Sequence, residues 1–173
     1  MIELEAMKPL PTEYVFSKVN LSWQEVAWGF EMGWLDWTSL VQFAQKHLKK
    51  GTSDVAVATL ATLRKDQSRE AGKLARTLAQ AEELLPEDVI RSKWQYLVLE
   101  KISEDWSWEN QKIRIEEAFA EFNYPSDMKS FIGFMPASPE TKKEWEKGAN
   151  PEKLLQKRVR EYLESARKRF HKP

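Results

Sequence analysis

LSWQEVAWGFEMGWLDWTSLVQFAQKHLKKG, residues 21–51, reads as two helices placed end to end. Ser22 and Glu25 have the spacing of a capping box, in which each residue's side chain bonds the other's backbone amide at a helix start. Val26, Phe30 and Trp34 then recur on one side, and Gly33 supplies a stop. A second helix is predicted from about Trp37 to Lys50. Leu40, Phe43, Ala44 and His47 share its apolar face, Lys49 and Lys50 suit its negative end, and Gly51 closes it. Cap, amphipathic helix and short break is the pattern that decides the fold class.

The same pattern continues along the chain. Ser53 or Asp54 can start a helix through VAVATLATLRK, the polar DQSRE interrupts it, and helical spacing resumes in GKLARTLAQAEELL. Ile90, Trp94, Leu97, Val98 and Ile102 lie on one helical face. Ser107 can cap a helix carrying Ile115, Ala118, Phe119 and Phe122. Asn150 followed by Pro151 is another start signal, and Leu155, Val159, Tyr162, Leu163, Ala166 and Phe170 form the stripe of the last helix. Pro9 and Pro11 favour an extended lead-in over residues 1–20, with TEYVFSKV as one short strand. The expectation is an all-α protein, one compact domain spanning 1–173 with five to seven amphipathic helices, a lead-in at 1–20 and a basic helix at 151–173. No fixed-period repeat is visible.

Composition narrows the function classes. Apolar residues make up 42% of 173, with eight tryptophans, enough for a real core. No apolar run reaches the length of a membrane span, and the start MIELEAMKPLPTEY lacks the basic patch and apolar core of a signal peptide. A cytoplasmic bacterial protein is therefore expected. There is no cysteine, so thiol and disulfide chemistry are excluded. Lysine plus arginine equals aspartate plus glutamate at 27 each, which argues against a dedicated nucleic-acid binder. Charge is uneven locally: residues 100–127 hold eight acidic against three basic side chains, and residues 151–173 eight basic against three acidic.

FNYPSDMKSFIGFMP, residues 122–136, is the least ordinary segment. Tyr124 precedes a proline and should leave the right-handed helical region. Ser126 can cap a short helix from Asp127 to about Phe131, and Gly133 and Pro136 mark the exit. So many apolar groups either plug the base of the core or build a partly exposed groove, for which Tyr124, Phe134 and Met135 are suitable. FAEFNYPSDMKSFIGFMP resembles the most distinctive segment of an uncharacterised bacterial domain family, aromatic-Ala-Asp-Phe-Asp-Tyr-Pro, then a short helix and Tyr-Met-Pro. SWQEVAWGFEMGWL and the pair Lys93-Trp94 are similar to its other features, so the resemblance spans about residues 15–136. Glu121, Asn123 and Phe134 depart from it, where aspartate, aspartate and tyrosine are expected. The family carries no activity to transfer, and the setting of some members resembles that of immunity proteins of toxin systems.

Known site chemistries find little support. His47 and His171 do not form a metal-ligand pattern, and no nucleophile elbow, phosphate loop or dinucleotide fingerprint occurs. No cofactor or metal is expected. Glu100 with Glu104, and Glu117 with Glu121, stand four apart, so a small carboxylate-dependent enzyme remains an alternative, as does a structural or assembly protein. The leading expectation is a protein-binding module, an inhibitor of immunity type masking a basic protein. Its contact residues would be Trp108, Glu117, Glu121, Tyr124, Asp127 and Phe134. The last helix, with its basic residues, could instead fold across this acidic patch and neutralise it.

Overall fold

The computed structural model describes residues 3–133 and 135–173, and every regular element among them is helical. Nine α-helices occur in order: α1 (Thr12–Lys18), α2 (Trp23–Glu31), α3 (Trp37–Lys49), α4 (Val55–Ala61), α5 (Arg69–Gln80), α6 (Glu87–Asp105), α7 (Trp108–Glu121), α8 (Pro139–Glu146) and α9 (Pro151–Phe170). Three short 3-10 helices, Glu3–Met7, Lys65–Gln67 and Ser126–Phe131, complete the set. The all-α expectation holds, but five to seven helices is too few.

Two of the additional helices have plain local causes. In place of a strand, residues 12–18 wind into α1. The Pro11 carbonyl accepts the Val15 N–H at 3.2 Å, and Val15, Phe16 and Val19 bury one side. Proline here precedes the helix, where its missing N–H matters least. Helix α8 starts at Ser138, whose hydroxyl accepts the Thr141 N–H, with Pro139 in the first turn.

The described chain divides into two compact units, Met7–Ser92 with Lys172, and Lys93–His171 with the start of the chain through Ala6. In the Met7–Ser92 unit the capping box of α2 forms as expected: Glu25 N–H bonds Ser22 Oγ, and Ser22 N–H bonds Glu25 Oε1. Glu82, from the turn after α5, takes two further N–H groups at that end, from Trp23 and Gln24 at 3.1 and 2.9 Å. Helix α5 comes so close to α2 at Gly72 that an added Cβ would stand 2.6 Å from the Phe30 ring. Asp36 caps α3 by accepting the Ser39 N–H.

In the Lys93–His171 unit, every residue from Trp94 to Glu100 along α6 is buried. A helix covered on all sides is a core element. Phe119, Phe122 and Met128 are also enclosed, as are Leu154, Val159, Leu163 and Ala166 on α9. Leu155, Tyr162 and Phe170, expected on that stripe, are only partly covered. The acidic Glu100, 3% exposed, is held by Arg167 of α9 in a forked contact: Nε lies 3.1 and 3.0 Å from the two carboxylate oxygens and Nη2 2.8 Å from Oε1. Burial, then the Glu100 charge, pushes the neighbouring Tyr96 hydroxyl up to about 12.

His47 gives a measurable signature of the Met7–Ser92 core. Its ring lies 5.4 Å from Trp23 and 4.7 Å from Phe43, and burial followed by the Lys50 charge lowers its pKa below 6.5. The native state therefore binds fewer protons than the unfolded chain near that pH. Stability should be complete above about pH 6.5 and decline as pH falls through the histidine range, and His47→Leu should flatten this dependence in urea titrations.

Candidate functional site

The end of α7 is built by a helix-closing motif that recurs in this chain. Beyond α2, α3 and α8, the second residue after the last helical one is Gly33, Gly51 or Gly148, each with positive φ. At each, one N–H reaches back three residues and the next reaches back five, as in Gly148 to Trp145 and Ala149 to Glu144. This is the Schellman closure, which needs a left-handed residue at its centre. Beyond α7 the same bonds run from Asn123 to Ala120 at 3.0 Å and from Tyr124 to Phe119 at 2.7 Å. Here Asn123 occupies the glycine position with φ 61°, a conformation asparagine tolerates better than most residues.

Tyr124 is left-handed as well, with φ 56°. It does leave the right-handed region, as a residue before proline should, but into the left-handed well. A non-glycine residue there carries roughly 1–3 kcal/mol of strain. The closure's usual apolar contact is made by the Tyr124 ring standing edge-on to Phe119 at 5.2 Å. Phe119 is buried, whereas Tyr124 remains 57% exposed. The result is an aromatic side chain fixed at its base and open at its face.

Glu117, Glu121 and Tyr124 lie along one stripe of α7 and its closing turn, and Ile113, half exposed, continues that stripe one turn earlier. Glu117 already accepts the Leu4 N–H at 2.6 Å. Trp108 belongs to a different stripe. Its indole donates to Glu152 of α9 at 3.0 Å, and Lys112 reaches the same carboxylate at 2.9 Å. Lys112 and the Trp108 indole hold the Glu152 carboxyl below its ordinary value. Asp127 is turned toward Gln95, whose Nε2 lies 3.1 Å from both of its oxygens and 2.9 Å from the Tyr162 hydroxyl. Burial, then the Asp127 charge, raises the Tyr162 pKa. Phe134 lies outside the described residues. Thus three of the six expected contact residues share one stripe, while Trp108 and Asp127 bond within the Lys93–His171 unit.

The local caps near this site differ from expectation. Ser107 precedes α7, but its hydroxyl makes no capping bond and instead receives the Asn110 side chain at 3.4 Å. Pro125, not Ser126, occupies the cap position of the next turn, which is a 3-10 helix. Such a turn tightens the chain and buries Met128 and Phe131.

Two clefts flank this turn. One, of about 270 Å³, is lined by Trp108, Ile113, Phe131 and Leu155 among others. The second, of about 460 Å³, has Ile132, Met135, Pro136, Trp145 and Leu155 along its apolar side, with Lys129 at its rim. Residues 122–133 therefore plug the core, and Ile132, Met135 and Pro136 wall a groove. Trp145, 43% exposed on α8, and Ile113 were not singled out from sequence. The Ser138-Pro139 start signal was available for α8, and the i, i+4, i+8 spacing from Ile113 to Glu121 was available for the stripe.

A family model matches residues 12–167, and its description is "Uncharacterized protein conserved in bacteria (DUF2247)". The chain belongs to the DUF2247 family. The match extends beyond the segments that carried the resemblance and takes in α8 and most of α9. No curated protein and no solved structure matches the chain. Among the described residues, no helix is long and apolar enough to cross a membrane.

Two substitutions test this construction. Asn123→Gly should leave stability within about 1 kcal/mol or raise it, whereas Asn123→Val should lower it by about 1–2 kcal/mol, read from urea midpoints. Gln95→Leu should cost about 1–3 kcal/mol, because it leaves the largely buried Tyr162 hydroxyl without its partner. Equal stability of Gln95→Leu and the parent would show that the Gln95 network is not a structural tie.

Proposed function

We propose that this DUF2247 member is a protein-binding module that works by covering a surface of its partner. Its contact is centred on the stripe Ile113, Glu117, Glu121 and Tyr124. The observation that carries this reading is Tyr124, a 57% exposed aromatic held on left-handed backbone by a helix closure and by Phe119. Strained, rigid and exposed aromatics suit interfaces, because little further ordering is needed on binding. The two glutamates between Ile113 and Tyr124 select a basic partner and speed encounter with it. In a bacterial family, an immunity-type inhibitor masking a basic toxin is the specific form of this activity that fits the chemistry.

The decisive experiment compares capture by the parent protein with capture by folded variants. Tyr124→Ala should weaken retention of a specific basic protein at least about tenfold, the size of a moderate hot spot. Glu117→Lys with Glu121→Lys should slow association at low salt, and the difference should shrink as salt rises. If every folded variant retains the same proteins as the parent, the stripe is not a contact surface and the reading fails.

A further inference from the structure

We propose that the larger of the two clefts beside the Ser126–Phe131 turn binds a small amphiphilic monocarboxylate, with its charge on Lys129 and its apolar tail along Trp145. The cleft lies within the Lys93–His171 unit and holds about 460 Å³, inside the range of small-molecule sites. None of Ile113, Glu117, Glu121 and Tyr124 lines it, so the site does not depend on the α7 stripe being a contact surface.

The apolar side of the cleft has surface left to cover. Ile132 is buried, Met135 and Leu155 are partly covered, and Trp145 is 43% exposed. Leu155 belongs to the apolar stripe that α9 shows in sequence, yet it is less enclosed than Leu154, Val159 or Leu163 of the same helix. It lines both clefts instead of meeting a packed neighbour on every side. An apolar tail laid along Leu155, Met135 and Trp145 removes that surface from water, which is the general driving force for filling such a groove.

The polar groups of the cleft divide into those already bonded and those available. The Ser138 and Thr141 hydroxyls lie 2.9 Å apart, and Ser138 also caps α8. The Glu152 carboxylate is held by Lys112 at 2.9 Å and by the Trp108 indole at 3.0 Å. Lys129 and the hydroxyls of Ser126 and Ser130 are exposed, and their side chains make no bond to another described residue. The available charge is therefore one ammonium. A cationic ligand would meet repulsion from Lys129 and a carboxylate already satisfied, whereas a carboxylate gains a charge-assisted bond from Lys129. A phosphomonoester, with roughly twice the charge at pH 7, would leave part of it unpaired at a single cation. One ammonium and an apolar wall together select an alkyl or aryl monocarboxylate.

The test titrates the full chain with octanoate, following heat and the NMR signals of the Ser130 and Met135 amides and the Trp145 indole. Binding should be saturable and one-to-one, and should weaken about two- to fourfold for each carbon removed on going to hexanoate and butyrate. Lys129→Gln should lower octanoate affinity about two- to fivefold while leaving octanol, the uncharged control, unchanged. Trp145→Ala should weaken both. Both substituted side chains are exposed, so the variants should keep the parent's circular dichroism and urea midpoint. The absence of saturable binding at millimolar octanoate would overturn the proposal. So would octanoate binding that ignores tail length or Trp145→Ala, which would put the acid elsewhere. Equal affinity of the parent and Lys129→Gln for octanoate would show that the cleft does not read the carboxylate. Tyr124→Ala should leave octanoate binding as in the parent, so failure of the α7 stripe and failure of this site are separate results.

Discussion

The nine α-helices among the described residues leave amides and carbonyls open at every helix end, and much of the polar sequence answers to that demand. Ser22, Asp36, Asp54, Ser138 and Asn150 each accept backbone N–H groups at helix starts. Gly33, Gly51 and Gly148 turn the chain at three helix exits, and Asn123 does so at a fourth. Because the fourth closure uses asparagine and draws the next residue into the left-handed region too, it is the one that displays an aromatic ring. The candidate surface is thus a by-product of ending a helix, adapted by the choice of residue at two positions.

This explains why the helices were legible in the sequence and the site was less so. Caps and stops act over three or four residues, so Ser22 with Glu25, Asp54, Gly51 and Asn150 with Pro151 could be read directly. The strand expected at residues 12–19 fails because a proline breaks the helix it sits inside, not the one it precedes. Pro11 stands just ahead of α1 and leaves its first turn intact. Ser107 and Ser126 have the right composition for caps but not the right geometry. A hydroxyl near a helix start can bond elsewhere, and only the fold decides whether it does.

The site depends on contacts between residues far apart in the chain, which no local pattern encodes. Asp127 looks free in sequence and is bonded to Gln95, 32 positions away, and Trp108 to Glu152, 44 positions away. Arg167 reaches Glu100 over 67 positions. The acidic excess of residues 100–127 and the basic excess of 151–173 are visible as numbers, yet their partial pairing across α6, α7 and α9 is not. Helix α9 takes up some of the acidity at Glu100, while Tyr124 stays exposed beyond the end of α7.

That partial neutralisation changes which force a partner would have to use. Glu100, Asp105 and Glu109 already face Arg167, Lys101 and Lys112. Asp127 faces the Gln95 amide and Glu117 the Leu4 amide. Lys101 and Lys112 are already counted in the excess of eight acidic over three basic residues, so of these pairs Arg167 with Glu100 is the one that lowers it, and at physiological salt the remaining field decays within about 8 Å. Long-range attraction cannot supply most of the affinity at such a surface. It would come instead from the ends of the stripe, where Ile113 and Tyr124 are 50% and 57% exposed and can be covered without first being ordered. The glutamates between them then act mainly as a filter, since a partner that brings no cation or amide to that position would strip them of water without giving a bond in return.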